Sequence, residues 1–357
     1  MAKAAEKVKA AQRFLTLDVM RGYFIVVIII NHLWRWPNGF IVFSGANQLW
    51  FSGAEGFVIL SGLLVGYVRG YKNLSKSLLS VTLKLMSRAG TLYIWFIVGT
   101  LVYVFVAWNV KFQGPTPWIA IETHNYLQLI RETITLQFAH NWVHFLGLYT
   151  VLLLASPLLI LLLRRNLWPV ALGVIAALHV ASYWVKVEWL IWAPLFFLPL
   201  VAGYYLPQIT TWWKDLHYKD ALRRTLILST VGLLAVSAVC VFHIGNDPFI
   251  SKLNEYFSKD GGISAGRIAL AAVCFTGLYF IFDRMMPWLQ KYFGWLLLPF
   301  GNWSLAIYTL HGFVIAGIAV LLPPSSNIFI NTAVTLAAIV ALRGLLAIKP
   351  LRDILPR

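Results

Sequence analysis

Apolar runs about twenty residues long recur from one end of this chain to the other, and nothing else constrains its fold so tightly. A helix needs ~20 apolar residues to cross a bilayer. Such runs can be marked near 14–34, 54–71, 91–108, 144–163, 167–185, 189–206, 225–242, 267–282, 303–322 and 327–348. Lipid satisfies no backbone hydrogen bond, so each spanning segment must be a helix or part of a closed barrel. Continuous runs, rather than alternations of about ten residues, select helices. Only 12% of the 357 residues are charged, about half of what a soluble domain carries. The predicted fold is all-α and polytopic, with about ten transmembrane helices.

Charge gives the orientation. Lys+Arg number 29 against 13 Asp+Glu, a net charge of +16. The positives gather in every second connection: the head 1–13, 69–88, 164–165, 214–224, 284–291 and the tail 349–357. By the positive-inside rule these face the cytoplasm, which puts both termini there. This use of the charge leaves no role for nucleic acid. The head leads straight into polar residues of the first run and does not look like a cleaved signal peptide. A single transmembrane domain, 14–348, is expected, and a bend near 294–301 should precede the run at 303–322. The longest interruption, 109–141, holds Pro115 and Pro117 and should form an outer loop. Cys240 and Cys274 sit inside apolar runs and read as buried small hydrophobes.

Polar groups inside spans are costly and usually face the protein interior. The first run reads LDVMRGYFIVVIIINHLW and carries Asp18, Arg21, Asn31 and His32. Eleven residues part Arg21 from His32, which puts them on one helical face roughly 16 Å apart. Asp18 lies three residues before Arg21 on the same stripe. Near the outer side, His32 can take a hydroxyl proton at neutral pH. Arg21 suits a catalytic role and Asp18 substrate binding, or the two form a structural pair that locks this run to a neighbour.

Glu55 enters the second run at the level of His32. A carboxylate there can hold an imidazole tautomer, as the acid of a triad does, or can be a simple interfacial group. Gly62 and Gly66 form a small-xxx-small face that favours close helix packing. Lys84 and Arg88 share a face at the cytoplasmic mouth of the third run, where they suit phosphate groups or serve as anchors. In the run at 303–322, Ser304, Tyr308 and His311 form a polar stripe for substrate handling or helix pairing. His140 and His144 open the fourth run and are candidates for an acceptor site or an interfacial cluster. No spacing makes a zinc set, so no metal is expected.

LDVMRG at 17–22, Arg-x10-His at Arg21 and His32, AEGFVILSGLLVG at 54–66, SRAGTLY at 87–93 and SLAIYTLH at 304–311 occur in this order. Together they resemble the OpgC-like integral-membrane acyltransferases, named for succinyl transfer to osmoregulated periplasmic glucans. The resemblance implies a ten-helix enzyme of the bacterial cytoplasmic membrane. It would take a succinyl or acetyl group from acyl-CoA, as co-substrate with no tightly bound cofactor, to a glycan hydroxyl outside. His32 would be the base, and Arg21 and Arg88 would handle the donor. Where the broader family often has two arginines near the third span, this chain has Lys84 and Arg88. A polyprenyl-linked glycan flippase or other transporter, or a non-catalytic membrane partner, is the alternative reading.

Overall fold

The computed structural model describes residues 2–113, 119–245, 247–259 and 262–355, with side chains from Leu15 onward. Pro115, Pro117 and Arg357 lie outside the described residues. Every regular element among these residues is helical. The chain opens with α1 (Ala2–Leu33), the four-residue α2 (Ile41–Ser44) and α3 (Gly53–Leu64), which runs on into a π turn at Val65–Tyr71. Next come α4 (Leu78–Asn109), the short α5 (Tyr126–Ile134), α6 (His144–Arg164) and α7 (Trp168–Ala181). They are followed by α8 (Glu188–Tyr204), α9 (Leu206–Asp215), α10 (Lys219–Phe242) and α11 (Pro248–Tyr256). The chain closes with α12 (Ala265–Asn302), α13 (Ser304–Leu321), α14 (Ile328–Ala347) and α15 (Lys349–Ile354).

Seven of these helices are long and apolar enough to cross a membrane: the 15–33 part of α1, α4, α6, α10, α12, α13 and α14. An eighth arises if α8 is joined to α9 across their 69° bend. The chain is a multi-pass membrane protein. The two runs left from the expected ten fall on α3 with its π turn and on the 14-residue α7.

Packing sorts the bundle into pairs: α1 lies against α12, α3 and α13; α3 against α8; α4 against α6; and α10 against α12. Glycine sets the α3–α8 approach, as the Gly62/Gly66 spacing predicted. A Cβ at Gly62 would sit 2.0 Å from the Phe196 carbonyl oxygen, and one at Gly66 1.9 Å from that of Leu200. Backbone cannot step aside as a side chain does, so the two helices must part if a methyl is added. Gly66→Ala is expected to cost about 1–3 kcal/mol. A drop in detergent Tm checks it, and an unchanged Tm would refute the close approach.

The longest helix is not straight. In α12, Phe275 stacks with Phe24 at 6.3 Å between ring centroids, while Leu297 backbone lies under Gly22, two residues away on α1. A straight helix would separate 275 from 297 by roughly 33 Å. So α12 is bent between these points, in the stretch that holds Pro287, which interrupts the helical hydrogen-bond ladder. Residues 294–301, where a bend was expected, are helical, and Leu297 abuts Gly22 of α1. Gly301 abuts the Asp18 carbonyl.

The bundle has two distinct ends. One is basic, with Arg69, Lys84 and Arg88; there Arg164 donates to the carbonyls of Asn73 and Lys76, and Arg223 pairs with Asp283 at 3.4 Å. The other end holds His32, His140 and His144. There Arg35 donates to the Leu322 carbonyl at 2.6 Å, and Asn38 to Thr335 at 2.7 Å.

Candidate active site

The last turn of α1 delivers His32 to the wall of a cavity of ~1120 Å³ at the histidine end. Its other walls come from α3, α6, α8, α13 and the segments between helices, and include His140, His144, Tyr308, Arg35, Lys259 and Glu188. Four indoles, Trp34, Trp36, Trp142 and Trp192, line it as well. A pocket of aromatic faces with a few placed polar groups is the usual form of a small-molecule site.

The histidines of α1 and α13 make a directed chain. His311 is fully buried, and its Nδ1 contacts the Tyr308 carbonyl, which can only accept, so that nitrogen carries a proton. With the ring neutral, His311 Nε2 is an acceptor, and His32 Nδ1 donates to it at 2.7 Å. The lone pair of a neutral His32 is then on Nε2. A backbone carbonyl thus fixes, through two rings, which nitrogen of His32 can take a proton.

Glu55 does not fill this role. Its carboxylate is fully buried between Ser52, whose backbone N–H donates to Oε2 at 2.9 Å, and Arg267, whose Nε donates to Oε1 at 2.9 Å. Ser52 and Glu55 form a capping box at the start of α3. Arg267 also reaches the Phe257 carbonyl from the first turn of α12. The expected orientation of His32 by Glu55 is therefore corrected: Glu55 ties α3 to α12, and His311 holds His32. The tie bears on the cavity all the same, because Lys259, two residues past Phe257, donates to Asn47 at 2.6 Å, and both line it.

Two polar atoms around the cavity are buried without a protein partner: Asn31 Oδ1 and His140 Nε2, on residues 6% and 3% exposed. Such groups cost free energy unless something pairs with them, and both belong to residues lining this cavity, as does the buried Tyr308 hydroxyl. His140 accepts the Trp142 N–H on Nδ1 at 3.3 Å, so its neutral ring carries the proton on the orphaned Nε2. Burial, and next the nearby His144, push His140 down from 6.5 to about 4. The unfolded chain therefore takes up this proton at a higher pH than the folded one. The stability from neutral His140 is complete above pH 6.5 and is lost as pH falls toward 4. His140→Gln is expected to flatten the fall of Tm across that window; an unchanged slope would contradict the assignment.

The other expected residues divide. His144 donates through Nδ1 to the Asn141 carbonyl and sets Nε2 3.4 Å from Glu188. Ser304 is buried one turn before Tyr308 and is not a wall of the cavity. Asp18 and Arg21 pair at 3.5 Å, and Arg21 donates to the Gly301 carbonyl at 3.2 Å. Lys84 and Arg88 line a second cavity of ~860 Å³ at the basic end, together with Arg69, Ser77, Ser80, Ser87 and Thr91. Among the described residues no group of three His, Cys, Asp or Glu side chains is placed to hold a metal.

A histidine with a fixed tautomer thus stands at one end of the bundle and a basic cavity at the other. The sequence matches the family described as OpgC protein over residues 13–349, nearly the whole chain. The chain belongs to the OpgC family. No curated protein and no solved structure matches it. OpgC membership points to a transferase, with a membrane acyltransferase-type function. Within this OpgC chain, sequence reasoning missed Arg267, Arg35, Lys259, Glu188 and the four indoles. For Arg267 a signal was present: a lone arginine opens one span while a lone glutamate opens another.

Proposed function

We propose that this protein is a bacterial cytoplasmic-membrane O-acyltransferase moving a succinyl or acetyl group from cytoplasmic acyl-CoA to an extracytoplasmic glycan. The observation that carries this reading is the His32–His311–Tyr308 chain, which leaves Nε2 of His32 as the basic atom of a large, indole-lined cavity. On this reading the chain crosses ten times: the seven long helices, α3 with its π turn, α7 and α8. Both termini and the basic end are then cytoplasmic, and His32 faces outward.

The cations and hydroxyls around Arg69, Lys84 and Arg88 suit the phosphates of the donor. The donor's extended arm then carries the thioester past Arg21 toward His32, roughly 16 Å further on. A glycan hydroxyl held against the indoles attacks the thioester carbonyl carbon and gives its proton to His32 Nε2. The Nε2–H of neutral His140 and the Tyr308 hydroxyl are the buried donors on hand for the resulting oxyanion. Collapse breaks the C–S bond, and the leaving thiolate takes the proton back from His32. Arg35 and Lys259 add positive charge to the outer cavity, which suits an anionic group on either substrate.

Release of free CoA by the purified protein in lipid tests the reading. Wild type is expected to release CoA only with a glycan acceptor present, and Arg88→Ala to raise KM for the donor. Acyl-CoAs that neither bind nor turn over would overturn it.

A further inference from the structure

A third cavity, of ~420 Å³, lies at the joint between α12 and α13 and takes no part in the chemistry above. Two arginines line it, Arg343 from α14 and Arg352 from α15, over apolar walls that include Leu298 and Leu346. Among the described residues neither arginine has a carboxylate partner. Arg343 spends its Nε on the Trp295 carbonyl at 3.0 Å, which leaves the rest of its fork for another acceptor. Arg352 lies 5.3 Å over the Trp303 ring, and its Nε is buried with no protein acceptor. Two held but uncompensated guanidiniums on one amphipathic cavity form a site for an anion with an apolar continuation.

We propose that this cavity binds the phosphate of an anionic phospholipid headgroup, with both guanidinium forks on its oxygens and the lipid's apolar part against the leucine side. Planar guanidiniums suit bidentate contact with phosphate, and basic pockets between membrane helices hold anionic headgroups in this way. The location gives the site a consequence. Asn302 and Trp303 form both its wall and the α12–α13 joint, and the residue before them, Gly301, accepts the Arg21 hydrogen bond. A lipid seated there braces the backbone that holds Arg21.

The test uses full-length protein in phosphatidylcholine nanodiscs doped with phosphatidylglycerol, read by native mass spectrometry and by Tm. Wild type is expected to retain phosphatidylglycerol over phosphatidylcholine and to gain Tm with it. In Arg343→Gln/Arg352→Gln the retained phosphatidylglycerol should fall by about tenfold or more, the scale of lost charge-assisted hydrogen bonds. If that variant does not fold, Arg343→Gln and Arg352→Gln are read singly, and each should lower the retained phosphatidylglycerol. Inorganic phosphate matching the whole Tm gain would move the source to a soluble phosphate and overturn the lipid assignment. Equal retention of both lipids by wild type, or full retention of phosphatidylglycerol by a folded double variant, would overturn the site.

Discussion

Arg267→Ala is expected to destabilise the protein by about 3–5 kcal/mol, because it leaves the Glu55 carboxylate buried and uncompensated. Neither partner has water to fall back on: their side chains are 2% and 0% exposed. The pair joins the first turn of α3 to the first turn of α12, two elements more than two hundred residues apart in sequence. Its loss also frees the Phe257 carbonyl and the segment that carries Lys259 to the His32 cavity. Glu55→Gln with Arg267→Met should be milder than Arg267→Ala, since no charge is then stranded. Tm in detergent with a check of monodispersity reads both. A double variant as damaged as the single one would mean that packing, not charge, dominates the site.

The largest effect on activity is expected at His32. On the acyltransferase reading, loss of a general base lowers turnover by about 10²–10⁴-fold, so His32→Ala should lose acyl transfer to that extent. It should also lose about 1–3 kcal/mol of stability, because His311 Nε2 is left buried without its donor. His311→Leu removes the group that fixes the His32 tautomer and should lower kcat with little change in donor KM. The measurement is kcat and KM for both substrates across pH. Full turnover in His32→Ala, with a loss confined to His311→Leu, would move the base to α13.

Along the axis of a helix the sequence was a good guide. Spacing put Asp18 and Arg21 near one end of the 15–33 part of α1 and His32 near the other, and His32 does reach the cavity at the histidine end. Around the axis it was not. Glu55 stands at a depth that suits His32, but depth says nothing of azimuth, and the side chain turns to α12. Part of that was legible, because Ser52 and Glu55 are spaced as a capping box, which occupies one carboxylate oxygen on its own helix. The partner on the other oxygen was not, since only tertiary packing brings Arg267 to it. His311 was legible as one of a polar stripe, whereas its bond to His32 depends on how α1 and α13 pack. The bend in α12 had a mark in Pro287, but Pro299 is an equal mark in the same helix, so the sequence alone did not say where it falls. The orphaned His140 lies past α5 in a segment without periodicity, where sequence gives no register.

Acyl transfer from one side of a membrane to the other can be watched in sided proteoliposomes. The full-length protein is reconstituted with a glucan oligosaccharide enclosed and acyl-labelled CoA supplied outside, with protein of the opposite orientation removed. The expected result is label on the enclosed glucan, free CoA outside, and neither with His32→Ala. Glucan leaving the vesicles unmodified would point to transport instead, and label reaching it only when donor and glucan share a compartment would rule out transfer across the membrane.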